Sequence, residues 1–583
     1  NTAVGSQALS ASGNGTENTA VGRAALNANT TGSSNAAVGM NAMLDNTTGS
    51  SNAAFGAQAL DANTTGSSNT ALGFNALSVN TTADNNTAVG RNALEVNTTG
   101  TQNTAVGTYS LDANTTGYNN TAVGYNSLSS NSTGIRNAAF GAHSCRTTTG
   151  SHNTGLGYET LYNNTSGSEN IAVGAFCMDT NTTGQNNVGV GYAALDANTT
   201  ASNNTAIGSR ALDANSTGGS NTAVGYNSMG ANTTGYQNVA IGVQALDSNT
   251  TGENLVAIGF HALGSNTTNS GNVAVGAYAM EDNTSSNNTG LGYFALKENT
   301  SGAQNCAVGA SALTNNTTAD DNTAVGYAAL TANTTGASLT ACGHRALASC
   351  TTGSYNTAFG RIALDTLTTG TQNIAIGYHA GGGITTGSEN ICIGQDTGDD
   401  ITTGSNCIVI GDNSDAGGTG TISHRIVLGN DIAGVGNDYF VFGKSGNRVY
   451  NQFTSNASWT RSSDVRLKKD IQTNTDLGLD FINDLRTVTY KWKAPSELDS
   501  TLSNYDASKT EADHTSKMYG FIAQEVKQAL DDHSVTDFAG WTEDEEGIQG
   551  ISYEMFVMPL VKAVQELSAE NTALKARLDA AGI

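Results

Sequence analysis

A 17-residue phrase repeats from Asn1 to Gly411, about 25 times. NTAVG opens at Asn1 and recurs unchanged at Asn18, Asn86, Asn103, Asn120, Asn221 and Asn322. Variants such as NAAFG at Asn52 and NVAIG at Asn238 fill the gaps. Only the steps from Gly141 to Gly157 and from Gly276 to Gly292 are shorter, each by a single residue. A unit this short cannot enclose a core alone, so each must stack on the next. That stacking makes a rod, whose natural uses are spacing and adhesion.

Counting from the repeat glycine fixes the expected coil. Position −1 is always apolar (Val4, Phe55, Leu72, Ile207), and −2 is Ala or Gly (Ala3, Gly155, Ala375) in all but the last coils. This reads as a short strand with alternating faces. The expectation is that −3 and −1 fill the core while −2 faces the other side, where another backbone or chain approaches closely. Leu or Met follows at +4 (Leu9, Met43, Leu195), then the corner NTTG, where Asn and Gly tolerate left-handed angles. Asn29, Asn46, Asn63, Asn80 and Asn97 should stack into a ladder of amide hydrogen bonds. That ladder explains the NTT triplets better than their match to the N-glycosylation sequon. The fold class is mainly β: a parallel β-solenoid or β-roll of 17-residue coils, trimeric, about 120 Å long at 4.8 Å per coil. The light core of Ala, Val and Leu calls for association of several chains along the Ala/Gly column.

The formal charge of −25 argues against nucleic acid as a partner, and no apolar run is long enough to insert in a membrane. The sequence opens in mid-phrase, which reads as a fragment or processed product. The seven Cys form no CxxC pair and read as substituted core positions. No metal site and no cofactor is expected, and Asp396, Asp399 and Asp400 read as a solvated corner. Position +1 admits Arg23 and Arg91, so it should be exposed. Tyr125, Tyr158, Tyr192 and Tyr226 lie in this column and make candidate receptor contacts, since an aromatic face with a hydroxyl suits a pyranose. The alternative is that these rings pack over strand edges or grooves between chains.

The composition changes near residue 450. All three Trp and both Pro lie beyond it, and 12 of the 24 Lys and Arg fall after Ser462. The expected domains are the shaft at 1–411, a β-rich neck at 412–462 and a small α+β domain at 463–583. That last domain should hold a helix in LGLDFINDL (477–485), a strand in TVTYKWK (487–493) and a strand entering a helix in MYGFIAQEVKQAL (518–530). Leu560, Leu567 and Leu574 are seven apart, with Val564, Asn571 and Leu578 between them. They mark a coiled-coil helix over about 557–581, with Asn571 fixing register.

Two resemblances extend this reading. The NVAIG phrase at Asn238–Gly242 resembles the head repeats of trimeric autotransporter adhesins, which implies a left-handed parallel β-roll assembled as a trimer. SSDVRLKKDI (462–471), YGFIAQEV (519–526) and the terminal heptads closely resemble the intramolecular chaperone domain of endosialidase-type phage tailspikes and tail fibres. That resemblance implies a domain that trimerises, directs folding of the fibre before it and then cuts itself off. It places the cut at the Ser462–Ser463 bond, with Ser463 as nucleophile and Lys468 as base. Lys469 is the neighbouring alternative, and the family spacing selects Lys468. Ser–Lys pairs work without His, but the lysine must be neutral, which requires burial.

The functional expectation is a homotrimeric viral tail fibre or spike, located in the virion tail, that contacts a host cell-surface glycan or protein. Its only enzymatic activity would be single-turnover serine self-cleavage. A bacterial trimeric surface adhesin with the same chaperone is the first alternative, located at the cell surface. A polysaccharide-degrading tailspike is the second. Against it, the coils offer no insertion for a cleft and no recurrent Asp/Glu pair.

Overall fold

The computed structural model describes residues 1–583 apart from 12, 419–421, 454–459, 462, 464, 501, 503–504, 513–515 and 545–546. Contacts divide it into two compact units, Asn1–Ser462 and Ser463–Ile583. In the first, 25 strands of three residues run from β1 (Thr2–Val4) to β25 (Ile408–Ile410). Each pairs in parallel with the next at a shift of one repeat, as in Thr2↔Thr19 and Val239↔Val256. This is the expected parallel β-solenoid.

The faces of the strand are the reverse of the expectation. From the second strand on, the central residue at −2 is buried, and −3 and −1 point outward. Ala20, Ala122 and Ala240 are fully buried, whereas Leu72 is 48% and Phe359 57% exposed. The width of the coil explains the inversion. The +4 side chains (Leu26, Met43, Leu60) and the +3 alanines (Ala25, Ala42, Ala59) fill the interior from the opposite wall. Where Leu or Met stands at +4 the remaining gap admits only Ala or Gly, whereas Cys392 and Val409 fill −2 in the last coils, whose +4 residues are Gly398 and Asp415. A Cβ added to Gly189 would lie 2.5 Å from Cys177 Sγ and 2.9 Å from Met178 Cε.

The corner also differs. NTTG glycines such as Gly32 have no left-handed angle. A Cβ there would lie 2.3 Å from Gly49 O and 2.5 Å from Asn29 Oδ1, so the corner glycine is needed for close approach. The left-handed residues are instead at +2, at +4 and just before the NTAVG asparagine, as in Gln58 (φ 58°), Leu60 (φ 54°) and Ser68 (φ 60°). A left-handed leucine costs about 1–2 kcal/mol. The turn is repaid by aiming Leu60 inward and by backbone bonds to the next coil, such as Leu60 N–H to Ala76 O at 2.9 Å.

The amide ladder is present. Asn46 Nδ2 donates to Asn29 Oδ1 at 2.9 Å and Asn63 Nδ2 to Asn46 Oδ1 at 2.7 Å, and these side chains are fully buried. Such buried amides are closed to glycosylation. A second ladder, not foreseen, uses the Asn that opens NTAVG. The backbone N–H of Asn35 donates to Asn18 Oδ1 at 2.9 Å, and Asn35 Nδ2 donates to Gly49 O at 2.9 Å. In the two shortened coils the missing residue is taken from the corner, and the second ladder stays intact (Asn153 N–H to Asn137 Oδ1, 2.9 Å). All seven cysteines are free thiols, and five of them are buried.

After Gly411 the sheet continues through β26 (Ile426–Asn430) and β27 (Tyr439–Lys444), both parallel. It then reverses into antiparallel β28 (Asn447–Gln452) and β29 (Thr460–Arg461). The second unit holds α1 (Leu479–Asp484), β30 (Val488–Tyr490) paired with β31 (Met518–Gly520), α2 (Ala523–Asp532), the hairpin β32 (Trp541–Glu543) and β33 (Gln549–Ile551), and α3 (Val557–Ala580). Leu477, Phe481, Val526, Leu530 and Phe556 form its core.

Acidic residues recur at +5, and Asp179, Asp196 and Asp213 stack on successive coils. Burial, with Asp196 and Glu159 alongside, pushes the Asp179 carboxyl up to about 6. Burial does the same to Asp112, opposed by backbone N–H groups and joined by Glu95. The folded state therefore holds these protons more tightly than an unfolded chain titrating near 3.8. Their contribution to stability is full below that value and is lost as pH rises through about 6. Guanidinium unfolding of the full chain should show Asp179→Asn more stable than wild type at pH 7.5 by on the order of 1 kcal/mol, after allowance for solvent screening. The advantage should shrink at about pH 5.

Candidate functional site

The second unit opens with a single 3₁₀ turn, Val465–Leu467, which folds the chain back on itself. Lys468 N–H closes the turn on Val465 O at 3.1 Å. The turn brings Lys468 Nζ to Ser463 Oγ at 2.6 Å, with the ammonium donating. Ser462 and Asp464, expected at the scissile bond and in the motif, lie outside the described residues. The Ser463–Lys468 pair is within the reach that general-base activation needs, but the ammonium donates where an activating base would accept the serine proton. The expected burial is not there: Ser463 and Lys468 are both exposed in the single chain. A lysine acts as base only when desolvated, so the protomer holds the pair without the environment the chemistry needs.

The terminal helix α3 is anchored at one end. Phe556 and Ala563 enter the core, and Glu566 accepts hydrogen bonds from Leu479 N–H at 2.6 Å and Lys562 Nζ at 2.9 Å. These bonds, the Leu479 N–H first, hold the Glu566 carboxyl below its ordinary range. Leu560, Val564, Leu567, Leu574 and Leu578 remain exposed along the helix. Asn571 Nδ2 donates to Leu567 O of its own helix at 3.0 Å.

On the shaft, Tyr125, Tyr158, Tyr192 and Tyr226 are about half exposed, as expected of the +1 column. The rings of the first three are not independent. Tyr125, His143, Tyr158, Phe176 and Tyr192 form a zigzag of edge-to-face contacts at 5.3–6.2 Å. Both readings of the column thus have a structural basis, packing along the rod and an accessible aromatic surface. The Asp corner divides: Asp396 and Asp399 converge on His379, which sequence reasoning left unassigned, while Asp400 accepts from the Ala416 and Gly417 N–H groups. Among the described residues no helix is long and apolar enough to cross a membrane.

Residues 463–535, which hold the Ser463–Lys468 pair, match the family described as chaperone of endosialidase. No curated protein and no solved structure matches the chain.

Substitutions at the pair test its role. Ser463→Ala should abolish production of a fragment beginning at Ser463, and Lys468→Ala should slow it at least about 100-fold, the scale of general-base catalysis. Lys469→Ala should change the rate by less than about twofold. Mass spectrometry of each purified variant checks this; cleavage of Lys468→Ala at the wild-type rate would remove the lysine from the mechanism.

Proposed function

We propose that this chain is a trimeric tail fibre or spike whose C-terminal unit sets three chains level, directs the folding of the shaft and then releases itself at Ser462–Ser463. The observation that carries the reading is the match of residues 463–535 to the chaperone of endosialidase, in a chain whose N-terminal part is a solenoid of near-identical coils. Such coils need a chaperone, because slipping one copy by a whole coil replaces nearly every contact with an equivalent one.

The surfaces available for trimerisation differ from the sequence expectation. The Ala/Gly column is consumed inside each coil. Outside it, Phe55, Leu72, Ile207, Ile241, Phe359 and Ile376 lie on one exposed stripe along the sheet. A stripe that crosses 25 coils exceeds the few hundred Å² of apolar patch that a soluble monomer carries. The exposed leucines of α3 give a second apolar seam at heptad spacing. In the trimer these surfaces cover each other. The Ser463–Lys468 pair, open in one chain, acquires its desolvated environment on assembly, so cleavage follows folding. The +1 tyrosines stay on the outside as the host-contact surface, suited to a glycan.

Sedimentation of the uncleaved Ser463→Ala chain should give three copies of the 59.3 kDa chain. Leu567→Ser with Leu574→Ser should shift the mass toward monomer and suppress cleavage together. A stable, folded and cleaving monomer would contradict the proposal. Replacing Tyr125, Tyr158, Tyr192 and Tyr226 with Ala should reduce attachment to host cells about tenfold or more. If the four substitutions mainly lower the melting temperature, the rings are packing elements.

A further inference from the structure

Near the C-terminal end of the repeat, the corner asparagine gives way to Cys350, Leu367, Ile384 and Ile401, so the first amide ladder stops after Asn333. A different polar contact between coils occurs there. His379 and Asp396 both stand at +2 and lie in one column on successive coils, and Asp399 turns toward them from +5. His379 Nδ1 lies 3.2 Å from Asp396 Oδ1 and 3.2 Å from Asp399 Oδ2. The three donor atoms all fall within 4.8 Å of one another.

We propose that His379, Asp396 and Asp399 bind one divalent transition cation of the zinc class, which clips two successive coils together.

Several features of the corner favour a cation. Ligands bonded to zinc at about 2.0–2.1 Å stand roughly 2.8–3.4 Å from one another, from octahedral to tetrahedral angles. The two His–Asp distances fall inside that range. Two carboxylates and a neutral imidazole balance the charge of a dication. The imidazole nitrogen favours zinc-class ions over calcium and magnesium, which take oxygen ligands. Asp396 is oriented by Gln395, whose Nε2 donates to Oδ2 at 3.1 Å. Asp399 is fixed through its own N–H, which donates to Asp415 Oδ1 at 3.0 Å. Its second oxygen, Oδ1, is buried without a hydrogen-bond partner, so this carboxylate carries an unmet acceptor beside the oxygen that faces His379. The side chains of the three ligands are about one-third exposed, which leaves an entry path and room for water ligands.

The backbone is also adapted. Where other coils carry a leucine and a larger neighbour, this coil has Gly381, Gly382 and Gly383. The imidazole lies directly over Gly382, where an added Cβ would come within 2.2 Å of His379 Nε2. Any other residue at 382 would force the ring out of its place beside the two carboxylates.

Calorimetric titration of the untagged, metal-stripped full chain with zinc chloride tests the proposal. One site per chain is expected, with magnesium and calcium in excess failing to compete. His379→Ala and Asp396→Asn should each weaken that site about tenfold or more. Cobalt added in place of zinc should give an absorption band that both variants lose. Circular dichroism in chelator should show both variants folded like wild type, and the isosteric Asp399→Asn replaces any variant that fails to fold. Three results would overturn it: no saturable binding below about 100 µM zinc, equal binding by wild type and variants through other histidines, or displacement by magnesium. The first would leave a histidine held between two carboxylates as an ion pair only.

Discussion

Leucine against alanine across a narrow coil is the contact on which the shaft depends. The +4 leucine or methionine enters from one wall, and the −2 alanine or glycine of the strand meets it from the other. Once that distance is set, no larger residue fits at −2, and the bulkier −1 and −3 side chains must face outward. The exposed apolar stripe follows from this one packing choice, and it is the surface that the proposed trimer would cover. The backbone accepts the cost of left-handed leucines because they supply the inward-facing side chain once in every coil.

Stacking then multiplies whatever a single coil carries. An asparagine repeated once per coil becomes a buried chain of amide hydrogen bonds, and an aspartate repeated at +5 becomes a column of half-buried carboxyls that resist ionisation. The same multiplication makes the shaft insensitive to register, because each coil offers its neighbour nearly the same contacts as any other. Departures from the repeat supply the few marks of position: the two shortened coils, the loss of the corner asparagines after Asn333, and the glycine triplet beside His379. If several chains assemble as proposed, their alignment has to come from outside the repeat, and the unit whose residues 463–535 match the chaperone of endosialidase follows the shaft and neck in the chain.

Much of this was legible in the sequence. The period gave the solenoid, the recurrent Asn29 column gave the first ladder, and the elements of the C-terminal unit fell where the patterns of LGLDFINDL and MYGFIAQEV placed them. The direction of the strand faces was not legible. Alternation separates two faces but does not say which is inside, and the habit of placing the larger residue in the core fails when the core is one alanine wide. Left-handed angles went to Asn and Gly by propensity, whereas packing put one at Leu60. For the candidate site, the motif located Ser463 and Lys468, and the 3₁₀ turn between them accounts for the spacing. Their exposure could not be read, since a motif fixes residue types and spacing and says nothing of what covers them. His379 was missed because its partners, Asp396 and Asp399, adjoin it in the stacked column and belong to the following coil in the chain.

The most direct test of the account is the unfolding free energy of Ala223→Leu measured beside that of Val224→Leu in the full chain. Ala223 is fully buried on the inside of its strand, and Val224 lies on the outer face. The account predicts that Ala223→Leu destabilises by about 1–3 kcal/mol through overpacking, while Val224→Leu costs less than about 1 kcal/mol. Equal effects, or the larger loss at Val224, would contradict the inward alanine column and the outward apolar stripe that follows from it.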